Sequence, residues 1–201
     1  MSHTDDDPER PRAWKKLGSE TPPTLHLFQP RWDRMENPRT GEVMPRLVLE
    51  TPEWVNVVPI TSTGEIVCVR QYRFGSEKIK TEIPGGVVDP GEEPLLAAQR
   101  ELREETGYTT DDWTYLGSVE PNSAFLDNHC HHFLARNVRR TDKQELDSGE
   151  DIQVTEIPLP ELVQQVASGE IDHALVITAL SRVFDLRTHG PEAGSAPGSS
   201  S

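Results

Sequence analysis

Cysteine is nearly absent from this sequence: Cys68 and Cys130 are the two in 201 residues. Two thiols cannot build the disulfide framework of a small secreted domain. Both sit in apolar, strand-like runs, where a buried free thiol is the expected state. No apolar run approaches the ~18 residues of a membrane-spanning helix, and no signal peptide is visible. Positive charge is also scarce, with 20 Lys+Arg against 34 Asp+Glu and a net charge of −14. That balance argues against binding a nucleic-acid backbone, which calls for a basic face. It also means that a highly anionic ligand must be met by a few local arginines and by metal. Hydrophobic residues make up only 34%, diluted by polar ends, yet the length suffices for one domain with a sizeable core. A cytoplasmic enzyme fits these absences.

What is present falls into an ordered series. Residues 1–20 are acidic and then Pro- and Lys-bearing, with little periodicity, and read as a disordered leader. Residues 21–60 read as an antiparallel β subdomain, with Asn37–Gly41 as a hairpin loop. A catalytic domain is expected over 61–187, and the Gly/Ser/Pro/Ala-rich stretch 188–201 as a disordered tail. Within the domain, strands are expected at Glu65–Phe74, Trp113–Val119, Asn128–Ala135 and Ile152–Ile157, with residues 75–80 as a loop. Helical spacing follows at Glu161–Ala167 and Ile171–Leu186. His129, His131 and His132 do not read as a zinc site. A strand puts 129 and 131 on one face and 132 on the other, and no second Cys/His cluster completes four ligands.

The densest chemistry lies between Gly86 and Tyr108. Asp89-Pro90-Gly91 is turn chemistry, and a helix is expected over Pro94–Thr106, with Pro tolerated in its first turn and Gly107 as its stop. Leu95, Ala98 and Leu102 share a packing face. Glu101, Glu104 and Glu105 share an adjacent one. A like-charge pair at i,i+4 works against the helix by a few tenths of a kcal/mol. Carboxylates clustered beside a glycine turn suit a hard divalent cation, which takes oxygen ligands and, if magnesium, also contacts substrate phosphates.

This stretch resembles the Nudix box: Gly, five residues, Glu, seven residues, then Arg-Glu-apolar-any-Glu-Glu-any-Gly-apolar. Gly86, Glu92, Arg100, Glu101, Glu104, Glu105 and Gly107 supply all seven fixed identities, with Leu102 apolar and Tyr108 in a slot more often aliphatic. The resemblance implies a mixed α/β fold, an α/β/α sandwich with an N-terminal antiparallel extension. It implies hydrolysis of a nucleoside diphosphate linked to another group, with two or more Mg²⁺ ions (or Mn²⁺) as cofactor. Glu101, Glu104, Glu105 and a backbone carbonyl at Gly85 become metal ligands, and Glu104 and Glu105 catalytic residues. Glu92 and Arg100 become a supporting pair that locks loop to helix, alongside Gly86 and Gly107.

Flanking residues narrow the resemblance to the ADP-ribose branch of the family. Gln71-Tyr72-Arg73 is similar to that branch's substrate-contacting motif, so Arg73 is either a phosphate-gripping fork or a surface ion pair. Glu82, in the lead-in to Gly85-Gly86, is either a ligand-facing acid or an acceptor for nearby N–H groups. By the same resemblance the acidic loop before Ile152 supplies a further catalytic ligand, Glu150. The branch's catalytic acid aligns with Ser148, which leaves Asp147, Glu145 or the box glutamates to substitute. The N-terminal subdomain implies a homodimer. Pro121 lies 14 residues beyond Gly107 and is followed by Asn122, a departure from the branch pattern that bears on ADP-ribose itself. Alternatives are a dinucleoside polyphosphate or other nucleotide as substrate, or a sensor that binds a nucleotide sugar without turnover. Phe28, Trp32 and Trp54 are candidates either for base stacking or for core.

Overall fold

The computed structural model describes residues 15–20, 25 and 27–186. Those residues form β1 (Lys15–Glu20), β2 (Gln29–Glu36), β3 (Val43–Glu50), β4 (Trp54–Thr61), β5 (Glu65–Arg73), β6 (Lys78–Glu82), β7 (Gly85–Val87), α1 (Pro94–Thr106), β8 (Tyr108–Thr109), β9 (Asp112–Val119), β10 (Cys130–Arg140), β11 (Ile152–Pro158), α2 (Leu159–Ser168) and α3 (Ala174–Ser181). They divide into two compact units: residues up to Thr51 with Asn122–Asn128, and Pro52–Pro121 with residues from His129 on.

The smaller unit is an antiparallel sheet in the order β1-β2-β3. Ser19 and Arg31 both donate to Asp33, and Arg31 also pairs with Glu50, so a buried acid is matched across the strands. β1 is a difference from the sequence reading, which placed residues 1–20 in a leader. Its part at Lys15–Glu20 is a strand paired with β2. The missing periodicity has a simple cause: an edge strand is held by its backbone ladder and needs no alternating apolar face. The rest of that leader, and the 188–201 tail, lie outside the described residues.

The larger unit is a mixed sheet with path β11-β5-β4-β10-β8, to which β6, β7 and β9 are added. β4 and β10 run parallel, whereas the other pairs are antiparallel. Both faces are covered, which is why β4 reads as the nearly continuous apolar run VNVVPI. Val55, Val57, Val67, Phe133 and Ala135 pack with Ala97, Ala98 and Leu102 of α1. Val58, Ile66, Cys68 and Leu134 pack with Leu162 of α2 and with Val176, Ala179 and Leu180 of α3. The result is an α/β/α sandwich, the expected mixed α/β class.

Local expectations differ from the structure at several points. Trp54–Ile60, read as part of the N-terminal extension, is the strand at the middle of the larger sheet. Periodicity alone does not say which sheet a strand joins. Residues 78–80, read as loop, begin β6, because pairing with β5 supplies backbone partners that a Lys-rich sequence does not advertise. Leu95 is 38% exposed, and Ala97 takes the core position beside Ala98. Small side chains let α1 lie close to the sheet. The last helix is confined to Ala174–Ser181.

His132 illustrates a cost inside this core. Its side chain is fully buried opposite Asn56, and neither ring nitrogen has a hydrogen-bond partner among the described residues. Burial, then the positive Arg182 and neighbouring His131, push its pKa down to about 4. The unfolded chain takes up a proton near pH 6.5 that the folded chain refuses until about pH 4, so stability falls as pH drops through that window. The expected loss from this residue between pH 7.5 and pH 5 is about 2 kcal/mol. Thermal melts across that range check it: His132→Leu is expected to flatten the profile by that amount.

Candidate active site

The site begins with the end of β7 and the last turns of α1. Glycine at position 86 leaves room for the Glu101 carboxylate, because an added Cβ would lie 2.3 Å from its Oε1 and push it aside. At the far end Gly107 adopts φ +74°, and its N–H closes the helix on the Arg103 carbonyl at 2.8 Å. Between these glycines, helical spacing turns three carboxylates toward the same side.

Glu105 is the most deeply set of them, at 4% exposure. Its Oε2 accepts the Gly85 N–H at 3.0 Å. Burial pushes its pKa up to about 8. The Gly85 hydrogen bond opposes the rise, Glu101 and Glu150 reinforce it, and Arg73 weakly opposes it. Burial also raises the Glu101 pKa, against the nearby Arg100 guanidinium and with help from Glu104 and Glu150. Glu104 lies between Arg100 at 3.4 Å and Arg103 at 3.1 Å.

Arg100 organises the other side of the box. Its Nε and Nη2 grip Glu92 at 3.1 and 2.9 Å, Nη2 also reaches the Val87 carbonyl at 2.9 Å, and Nη1 meets Glu101 at 2.8 Å. Glu92 in turn accepts the Asp89 N–H at 3.1 Å. One planar fork therefore holds the glycine turn against the helix. Tyr108, the unusual residue in the last box slot, keeps its ring in the core and directs its hydroxyl to Glu156 of β11.

The acidic loop closes the site. Glu145, Asp147 and Glu150 line one cavity of ≈ 170 Å³ with Arg100, Glu101, Glu104 and Glu105. Glu150 is held by a local turn, in which its N–H donates to the Asp147 carbonyl at 2.9 Å and its Oε2 accepts the Asp147 N–H at 3.0 Å. Glu150, distant in sequence, is thus brought to one cavity with the box residues Glu101, Glu104 and Glu105. Arg73 and Glu82 stand together beside it as a two-pronged pair at 3.1 and 2.6 Å, and Arg73 feels the negative charges of Glu105 and Glu150. Gln144 was not singled out by the sequence. Arg103 bridges Glu104 and Glu145 at 3.1 and 2.8 Å. The contact with Glu145 has no local signal, because it depends on where residues 144–145 meet the helix.

The cavity's donor set fits a hard divalent cation: all are carboxylate oxygens, they repel one another, and the deepest has a backbone N–H as its hydrogen-bond partner. Among the described residues no group of three His, Cys, Asp or Glu side chains converges on a single metal position. Glu101 is turned to Arg100 and Glu104 to both arginines, so loading the site entails releasing carboxylates from these guanidinium partners. The histidines contribute elsewhere: His131 bridges Glu53 and the Tyr115 hydroxyl at 3.0 and 3.1 Å, while His132 is buried.

A sandwich whose glycine turn and acidic helix gather carboxylates in one cavity defines a class of hydrolases. Residues 51–180 match the NUDIX domain family. The chain is 36% identical over 141 residues to an ADP-ribose pyrophosphatase of Bacillus subtilis (strain 168), covering 70% of this chain and 76% of that one. It is 31% identical over 177 residues to an ADP-ribose pyrophosphatase of Mycobacterium tuberculosis (strain ATCC 25618 / H37Rv), covering 87% and 85%. The fold matches the crystal structure of an ADP compounds hydrolase with a TM-score of 0.76 at 24% identity, over 87% of this chain and 94% of that one. The chain belongs to the Nudix family and is a hydrolase.

Proposed function

We propose that the chain hydrolyses the pyrophosphate bond of a nucleoside diphosphate sugar of the ADP-ribose type, releasing a nucleoside monophosphate and a sugar phosphate, in a reaction that depends on a divalent metal. The observation that carries this reading is the acidic cavity built around buried Glu105. The two ADP-ribose pyrophosphatase relatives support the substrate class. Glu101, Glu104, Glu105, Glu150 and the Gly85 carbonyl would hold Mg²⁺ or Mn²⁺, two or more ions per site. A metal held there would supply neutralisation of phosphate charge and a bound water acidic enough to act as nucleophile.

The chain's own residues do the rest. Arg73 has Nε and Nη2 committed to Glu82, which fixes the guanidinium plane and leaves Nη1 to donate to a phosphate oxygen. Glu104 and Glu150 both line the cavity, and one of the two accepts the proton that the attacking water loses, a role that the Ser148 hydroxyl cannot fill. Glu92 and Arg100 keep the glycine turn in place while charge in the cavity changes. In this reading the larger unit, which begins at Pro52 and includes β4, is the catalytic domain, preceded by a β subdomain that pairs two copies. The exposed cross-strand neighbours Trp32 and Leu47, on one face of the smaller sheet, support that pairing. The setting is cytoplasmic. No helix among the described residues is long and apolar enough to cross a membrane.

Phosphorus NMR of products tests the reading, on ADP-ribose, ADP-glucose, GDP-mannose, UDP-glucose, a dinucleoside tetraphosphate and 8-oxo-dGTP, with and without Mg²⁺. Metal-dependent release of a monophosphate and a sugar phosphate is the expected result. Turnover of the tetraphosphate or triphosphate alone would replace the substrate class, and binding without turnover would replace the enzyme by a sensor.

A further inference from the structure

The last turn of α1 leaves carbonyls that water or another part of the chain must satisfy. Here the segment Thr141–Glu145 does it. The Thr141 and Asp142 N–H groups donate to the Gly107 carbonyl at 3.0 and 3.1 Å, and the Glu145 N–H donates to the Glu104 carbonyl at 2.9 Å. The Gln144 side chain takes the carbonyl between them: Nε2 donates to Glu105 at 2.7 Å. The same nitrogen donates at 3.1 Å to the carbonyl of Ile152, the first residue of β11. Both partners are carbonyl oxygens, so only the NH₂ end of the amide can face them, and both of its hydrogens are used.

These two bonds close a span. Gln144 stands at one end of the acidic loop and Ile152 at the other, and one amide ties both to the backbone of the most buried box glutamate. Inside the span the Asp147–Glu150 turn is closed on itself. The placement of Glu150 relative to Glu101 and Glu105 is then set by the anchor, since the turn moves as a unit. Arg103 holds the neighbouring Glu145 carboxylate but reaches neither Ile152 nor Glu150, so it anchors one end of the loop only.

We propose that Gln144 is a positioning residue: its amide fastens the acidic loop to the carbonyl of Glu105 and so sets where the Glu150 carboxylate stands against the box. This deepens the reading of the same site and rests on it. Gln144→Met keeps the length and removes the donors. Gln144→Glu keeps the shape and turns an oxygen toward two carbonyls. Each is expected to lower kcat on ADP-ribose about 10- to 100-fold, as loss of a group that orients a ligand does, while KM stays within about twofold.

The decisive comparison is the double variant. If Gln144 acts through Glu150, Gln144→Met with Glu150→Gln loses little beyond Glu150→Gln alone. Mn²⁺ binding followed by electron paramagnetic resonance is expected to show the same pattern without reference to turnover, with each single variant about tenfold weaker and the double no weaker. Hydrogen exchange is expected to quicken at the Glu145 and Glu150 amides while α1 before Arg103 keeps its protection, which separates a loosened loop from a failed fold. Losses that multiply in the double variant, or wild-type kcat and Mn²⁺ binding in both Gln144 variants, would overturn the proposal. A wild-type protein that turns over no nucleoside diphosphate sugar would overturn the proposed function instead, and the Mn²⁺ series would still decide the role of Gln144.

Discussion

Glu105→Gln is expected to lose most of its turnover and, in chelating buffer, to melt at a higher temperature than the wild type. The two effects share one cause. The Glu105 carboxyl is buried, with its pKa pushed up to about 8, so ionising it near neutral pH costs free energy that the amide does not incur. The protonated folded form is favoured below the unfolded value of 4.5, and the advantage is lost as pH rises toward 8. At pH 7.5 the charge costs up to about 4 kcal/mol in the metal-free protein. The Glu105→Gln variant removes that titratable group, and with it the cost, at constant shape. Its melting point is expected to exceed the wild type by several degrees at pH 7.5, and the gap to close near pH 5. Turnover at saturating Mg²⁺ is expected to fall about 100- to 1000-fold, since several kcal/mol of charge stabilisation is lost and each ~1.4 kcal/mol is a factor of ten. A variant with full turnover would remove Glu105 from the metal ligands. One that melts lower than wild type at pH 7.5 would show that the carboxylate is better compensated than its surroundings indicate.

Arg100→Ala is expected to have the opposite signature, a large loss of stability. The guanidinium meets Glu92, Glu101 and the Val87 carbonyl within 3.1 Å and Glu104 at 3.4 Å. Truncation leaves Glu92 and Glu101 facing each other's charge with less than one-fifth of either side chain exposed. Breaking such a pair by removing one member costs about 3–5 kcal/mol when buried. Arg100 keeps a quarter of its side chain in water, so the lower end, about 3 kcal/mol, applies. In a chain of this size that lowers the melting point by about 10 °C. Arg100→Lys is expected to recover less than half of it, because a single ammonium cannot reproduce the fork that reaches both Glu92 oxygens and Val87. Differential scanning calorimetry of the two variants decides both points. Equal melting points for wild type and alanine variant would mean that the turn is held by its own backbone bonds.

Much of the local structure was legible. The box helix runs from Pro94 to Thr106, as its Pro start and Gly stop indicate. The strand at Glu65–Arg73 alternates between the two core clusters, Val67 with α1 and Ile66 and Cys68 with the far helices. Other features were not. Lys78–Glu82 has no strand composition and is a strand only because β5 offers it a ladder. Trp54–Thr61 reads as a strand but gives no sign that its neighbour is the distant, parallel β10. The Arg73–Glu82 pair joins two residues each of which, read alone, had an equally good single role.

What the sequence determined by itself is the chemistry that recurs at short range. Helical period fixes which glutamates share a side, glycines mark where backbone must approach a carboxylate, and the scarcity of basic residues leaves only a few arginines to organise the acids. These depend on spacings of a few residues, which covalent geometry converts directly into direction. Tertiary structure alone decided the environment of those groups. The depth that raises the Glu105 pKa, the meeting of Glu150 with the box across 45 residues, and the Gln144 amide that ties the loop to the helix all depend on how separate elements pack. Burial and desolvation are properties of the assembled core, and no local pattern encodes them.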